Sequence, residues 1–151
     1  MKRQILSPLH RAHRQVAEHL EPRMAALGLS NAEGHLLSFL RSYEPTSVGH
    51  LHRVFGHKRS TLTSMLDRLE TGGKLRRTPN PEDRRSFLVR LTAGGRRLAD
   101  RTNRHVEQLE TALLSACSKE DLVGFRAVVA AIDDVTQIDL SAKESLCPPA
   151  S

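Results

Sequence analysis

The 45 residues SVGHLHRVFGHKRSTLTSMLDRLETGGKLRRTPNPEDRRSFLVRL, Ser47 to Leu91, change their period partway through. Thr46 or Ser47 can cap a short helix with Val48, Leu51 and Val54 as its inner face. A tight turn at Phe55-Gly56-His57 leads to a second helix, from about Lys58 to Thr71, that turns Leu62, Met65, Leu66 and Leu69 inward. Gly72-Gly73 closes it, as glycine does where the chain must turn left-handed. Lys74 to Thr78 and Phe87 to Leu91 then read as short strands, with Phe87, Val89 and Leu91 on one face. Their link, Pro79-Asn80-Pro81-Glu82-Asp83-Arg84-Arg85, is turn-forming and charged. A short helix, a glycine turn, a second helix and a basic hairpin make a winged helix-turn-helix.

Upstream, Leu9, Val16, Leu20, Met24 and Leu27 mark an amphipathic helix from Ile5 to Leu27, with a kink or break expected near Glu21 because of Pro22. Ser30-Asn31-Ala32-Glu33 is a capping box opening a helix through Leu36, Leu37, Leu40 and Tyr43, stopped at Glu44-Pro45. Downstream, Thr92 caps a long helix that ends near Cys117. Ser118 with Asp121 caps a last one carrying Leu122, Phe125, Val129, Ile132 and Val135. The expected fold is mainly α, with a small antiparallel β-hairpin wing and an α-helical dimerisation region. Residues 1–151 read as one domain: 30–92 the winged module, 1–28 and 93–139 the dimerisation region, 140–151 a disordered tail.

Composition agrees. Aromatics supply 3% of the chain, with no Trp and one Tyr, so aliphatic side chains must build the core, and these favour helices over a β-sandwich. The net charge of +6 is unevenly placed. Residues 41–104 hold 15 Lys/Arg against 6 Asp/Glu, whereas residues 105–151 hold 3 against 8. A focused basic block suits a polyanion, while the acidic C-terminal part is kept off one. The scarcity of stacking aromatics argues against single-stranded RNA.

Other classes find little support. No Ser-His-Asp order, carboxylate pair or phosphate-binding glycine loop stands out, so no enzyme, catalytic residue or cofactor is expected; Gly94-Gly95 lacks the rest of a nucleotide fingerprint. His50 and His52 are two apart, on different helix faces, and His10 and His13 lack a third ligand, so no metal site is expected. Cys117 and Cys147 match no redox spacing, and Cys117 reads as an inert, partly buried thiol. No signal peptide and no membrane-length apolar run are apparent, which points to a cytoplasmic protein with no membrane partner.

The candidate reading surface is the helix face opposite the leucines: Arg59, Ser60, Thr61, Thr63, Ser64, Asp67 and Arg68. Small hydroxyls permit close approach to a duplex, and an arginine has the reach to grip guanine.

Residues 29–97 resemble the core of the MarR (multiple antibiotic resistance regulator) family. The resemblance is carried by Asp67-Arg68-Leu69-Glu70, Gly73, Arg77, Pro79-Asn80-Pro81-Glu82-Asp83-Arg84-Arg85 and Leu91-Thr92-Ala93-Gly94-Gly95. It implies a triangular homodimer, built by the first and last two helices, that binds double-stranded DNA at a palindromic operator as a transcriptional regulator, chiefly a repressor, in a bacterial cytoplasm. By position, Ser47 and the Ser60 to Arg68 surface would contact the duplex, and Arg85 would enter the minor groove. Asp83 would hold the wing backbone and its arginines in place, and Arg84 and Arg77 would contact phosphate or brace the wing. The resemblance also implies release by a small phenolic or anionic effector bound between the dimer region and the winged module, where His13, Arg14 and His35 are the candidate lining. Lys74 departs from the pattern, which has an apolar residue after the glycine.

Overall fold

A computed structural model describes residues 3–136. The elements in order are α1 (Leu6–Ala25), α2 (Asn31–Tyr43), β1 (Thr46–Ser47), α3 (Val48–Phe55), α4 (Arg59–Thr71), β2 (Leu75–Pro79), β3 (Phe87–Leu91), α5 (Ala93–Ala116) and α6 (Lys119–Thr136). This is the expected mainly helical winged helix-turn-helix. The tail beginning at residue 140 lies outside the described residues.

Helices α2, α3 and α5 start where the sequence supplies a side-chain acceptor, whereas α1 and α4 begin without one. Ser30 and Glu33 form the reciprocal capping box of α2, Ser47 Oγ accepts the His50 N–H at the start of α3, and Thr92 Oγ1 accepts the Gly95 N–H at the start of α5. Of the two proposed caps for α3, the structure selects Ser47. Thr46 is buried and pairs with Val89 instead, adding a short third strand. The sheet is antiparallel in the order β1-β3-β2. A two-residue strand has no period of its own to be read from sequence.

Of the kink or break expected near Glu21, the break does not occur: α1 is helical through Pro22 to Ala25. Proline removes one N–H, here the donor to the Glu18 carbonyl. The next turn is held regardless, because Ala26 N–H donates to the Pro22 carbonyl and Met24 is buried.

The core is aliphatic. Leu36, Leu37 and Leu40 of α2 meet Leu51, Leu62, Leu66, Leu75 and Val89, all fully or almost fully buried, and Leu98 and Ala99 of α5 close it. Lys74 does no harm to the first wing strand, since the next residue, Leu75, is the one that packs inward. Phe87 is half exposed although it shares a face with Val89 and Leu91, because it stands at the hairpin end, beyond the core. The core stops partway along α5: no residue of α6 is buried, and Val106, Leu113, Leu114, Val123 and Phe125 are exposed. Cys117 is exposed for the same reason, not partly buried as expected, because the end of α5 projects past everything that could cover it.

The wing's base is clamped to α5 by backbone approach. Thr92 N–H donates to the Lys74 carbonyl and Thr92 Oγ1 to the Gly73 carbonyl. A Cβ on Gly95 would lie 1.8 Å from the Lys74 carbonyl oxygen, whereas one on Gly94 would meet nothing nearer than 3.7 Å. Gly95→Ala should therefore destabilise the fold by about 3 kcal/mol in urea unfolding. Gly94→Ala should be neutral or up to about 1 kcal/mol stabilising, because alanine is the better helix former. Equal effects of the two substitutions would contradict this packing.

Candidate nucleic-acid interface

Helix α4 presents two faces of opposite character. Leu62, Met65, Leu66 and Leu69 are buried, while Arg59, Ser60, Thr61, Thr63, Ser64, Asp67 and Arg68 are all exposed. Its approach is set by Gly56, whose left-handed φ of 62° ends α3 and turns the chain. Between α3, α4 and the hairpin runs a groove of about 520 Å³, lined on one side by Arg59 and Thr63 and on the other by Arg77, Arg85 and Phe87. His52 and Arg53 of α3 complete its basic wall. Neither was among the sequence candidates, although Arg53 could have been found as the basic residue on the outer face of the short helix.

The hairpin loop ties itself. Asn80 N–H donates to the Ser86 carbonyl and its side-chain amide to Ser86 Oγ. Asp83 Oδ1 accepts the Arg85 N–H at 3.0 Å, and the Asp83 carbonyl accepts both the Ser86 N–H and its hydroxyl. Asp83 thus holds the wing backbone. It does not hold the arginines, because its carboxylate is turned to the backbone two residues on, as aspartate does in turns. Among the described residues, Arg84 and Arg85 have no hydrogen bond or ion pair to their guanidinium groups.

Arg77 is engaged differently. Its Nε donates to Glu70, its Nη2 to Asp67 and Glu70, and its backbone N–H to Glu70 Oε1. The Arg77 backbone N–H and then its guanidinium hold the Glu70 carboxyl below the usual carboxylate range, and Glu70 and Asp67 in turn raise the arginine. Of the two expectations for Arg77, the geometry is that of a brace pinning β2 to α4. Ser47 also has a structural task, its hydroxyl capping α3.

Arg68 lies apart from the groove. Its Nε donates to Glu33 Oε1 at 2.9 Å, and Glu33 Oε2 accepts the Ser30 N–H. Burial pushes the Glu33 carboxyl up, but the Ser30 backbone, Arg68 and the Ser30 hydroxyl outweigh it, so the net shift is downward.

A second cavity, about 310 Å³, lies between α1, α2 and α5 and is lined by His13, Val16, Asn31, His35 and Thr102. Two of the three effector candidates, His13 and His35, face it. Arg14 does not; it is exposed and paired with Glu18 at 3.5 Å. Asn31 Oδ1 and the buried Thr102 Oγ1 have no hydrogen-bond partner there. Burial, aided by His57, holds His35 below the ordinary histidine value, favouring its neutral form.

With this geometry in place, comparison with known proteins is informative. A family model described as "MarR family" matches residues 29–87. The HTH-type transcriptional regulator PecS of Dickeya dadantii is 45% identical over 75 residues, covering 49% of this chain and 45% of PecS, so the match spans less than half of that regulator. The multiple antibiotic resistance protein MarR of Escherichia coli is 30% identical over 100 residues, covering 66% of this chain and 69% of MarR. Among solved structures, a mutant of E. coli MarR in complex with operator DNA aligns with a TM-score of 0.73 at 24% identity, covering 83% of this chain and 91% of that one.

The Glu33 link is testable by pH. Its carboxyl carries fewer protons folded than unfolded at the same pH, so the stability it contributes is present above the ordinary value of 4.5 and is lost as pH falls through the lower folded-state value. Glu33→Gln should cost about 1–2 kcal/mol at pH 7 in chemical unfolding, and that difference should vanish in acid. A difference that persists unchanged in acid would mean that the carboxylate charge contributes nothing.

Proposed function

The chain belongs to the MarR family, and from that premise we propose that it is a transcriptional repressor that binds a palindromic duplex operator as a homodimer in a bacterial cytoplasm. The observation that carries this reading is the pairing of an exposed hydroxyl-and-arginine face on α4 with two unpaired guanidinium groups at the tip of a self-tied wing. Ser60, Thr61, Thr63 and Ser64 are small enough for α4 to enter a major groove, with Arg59 at its N-terminal end toward the bases. Arg85 reaches a minor groove, where narrow A·T-rich sequence concentrates negative potential, and Arg84 meets phosphate. The kinship with E. coli MarR, crystallised as a mutant with operator DNA, supports the same partner here.

Dimerisation supplies what one chain lacks. The apolar residues of α1, the end of α5 and α6, among them Leu9, Val16, Leu113 and Phe125, have no cover in a single chain. A second copy buries them and places two α4 helices about one helical turn apart on the duplex. An effector, small and phenolic or anionic, enters the α1–α2–α5 cavity, where His13 and His35 meet it and the unpartnered Asn31 and Thr102 oxygens accept its donors. Asn31 and His35 stand on the same first turns of α2 as Glu33, which grips α4 through Arg68. Movement at the cavity therefore reaches the reading helix.

Selection of duplexes from a random pool at near-physiological salt should enrich a palindrome, and an unenriched pool would count against operator binding. Arg85→Ala should weaken binding to the selected duplex by about 1–3 kcal/mol while sedimentation still reports a dimer. Phe125→Glu should shift sedimentation toward the monomer, because it places a charge in the apolar interface.

A further inference from the structure

We infer that the base of the wing carries a second anion site, one that takes a phosphate group on the face of the sheet turned away from the α3–α4 groove. The strand register places Arg76 directly opposite Arg90. Residues in that relation project from the same face, and like charges so placed destabilise a ladder. Both arginines are exposed, and neither guanidinium has a hydrogen bond or ion pair among the described residues. Arg77 and Val89, one residue along each strand, face the opposite way, into the groove and core.

A third arginine converges on the same place. Arg96, in the first turn of α5, joins Arg76 and Arg90 around a hollow of about 480 Å³, with Thr78 and Thr92 also on its wall. The carboxylate beside Arg96 and Arg90 is Glu44, and it is already committed: Oε1 accepts Arg96 Nε at 2.7 Å and Oε2 accepts the Leu91 N–H at 2.6 Å. Arg90 acts on it only through space. Three guanidinium groups against one carboxylate leave two positive charges in excess around a concave surface. Guanidinium forks match oxyanions in pairs of N–H donors, and a phosphate, with its several tetrahedrally arranged acceptor oxygens, can take more than one fork at once. Its source is either a free phosphorylated compound or a backbone phosphate of duplex lying beyond the wing.

The experiment uses the full chain, the double variant Arg76→Ser/Arg90→Ser, and Arg85→Ala as a control for anions bound in the α3–α4 groove. Relief of the like-charge pair should leave the double variant's melting temperature equal to or above that of the unsubstituted chain, so misfolding will not confuse the result. In the first arm, inorganic pyrophosphate is titrated at constant ionic strength. It should raise the melting temperature of the unsubstituted chain and of Arg85→Ala, and leave the double variant unmoved. In the second arm, the selected duplex is lengthened by about ten base pairs at each end. If the source is DNA, affinity rises several-fold with the added flanks, the double variant loses that gain, and its log K against log salt slope falls by about 1–2. If the source is a free anion, the pyrophosphate arm alone responds. Equal responses of the double variant and the unsubstituted chain in both arms would overturn the proposal. The DNA arm rests on the operator-binding reading and the pyrophosphate arm does not. Failure to select any duplex would therefore remove that reading and leave the anion site standing or falling on its own.

Discussion

The separation between α4 and the wing is set by one guanidinium. Arg77 leaves β2 toward α4 and is met there by Glu70 and Asp67, while its own backbone N–H is taken by Glu70 as well. Bidentate arginine–carboxylate contacts fix orientation as well as distance. Everything beyond that clamp follows from it: the groove is as wide as the clamp allows, and Arg59 and Arg85 face each other across it. The Thr92 and Gly95 contacts with the Gly73–Lys74 backbone perform the corresponding task at the wing's base, tying it to α5.

Helix α2 occupies a central mechanical position, because a carboxylate at each end is spent on a different neighbour. Glu33 at its start grips Arg68 of α4, and Glu44 just past its end grips Arg96 of α5 and the backbone of β3. Between them Leu36, Leu37 and Leu40 form the middle of the core. The cavity beside α2 is therefore adjacent to an element bonded both to α4 and to the long helix α5.

Much of the winged module was legible because its signals are local. The capping box at Ser30 and Glu33, the leucine spacing of α4, the glycine closure and the Asp-Arg-Arg hairpin each act within a few residues, and each formed as the pattern implied. What escaped depends on partners distant in sequence. Nothing in the neighbourhood of Thr46 announces that it will pair with Val89. Arg68 and Arg77 look alike on a list of exposed basic residues, and only the fold reveals that Glu33, 35 residues away, takes the first while Glu70 and Asp67 take the second. Pro22 worked in the other direction: a residue-level rule allowed a kink or a break, and burial of Met24 with the bond from Ala26 carries the helix through without a break. Cys117 was misplaced because periodicity gives the length of α5 without saying where the core ends.

The self-tied wing loop has a consequence for the kinetics of encounter. Asn80, Asp83 and Ser86 settle the backbone of the loop before anything approaches, through hydrogen bonds that need no partner molecule. Ordering a backbone residue costs about 1–2 kcal/mol in lost conformational entropy, and here that loss is taken during folding. Any partner that meets the tip therefore finds the loop backbone already fixed, with the rotamers of Arg84 and Arg85 left to immobilise.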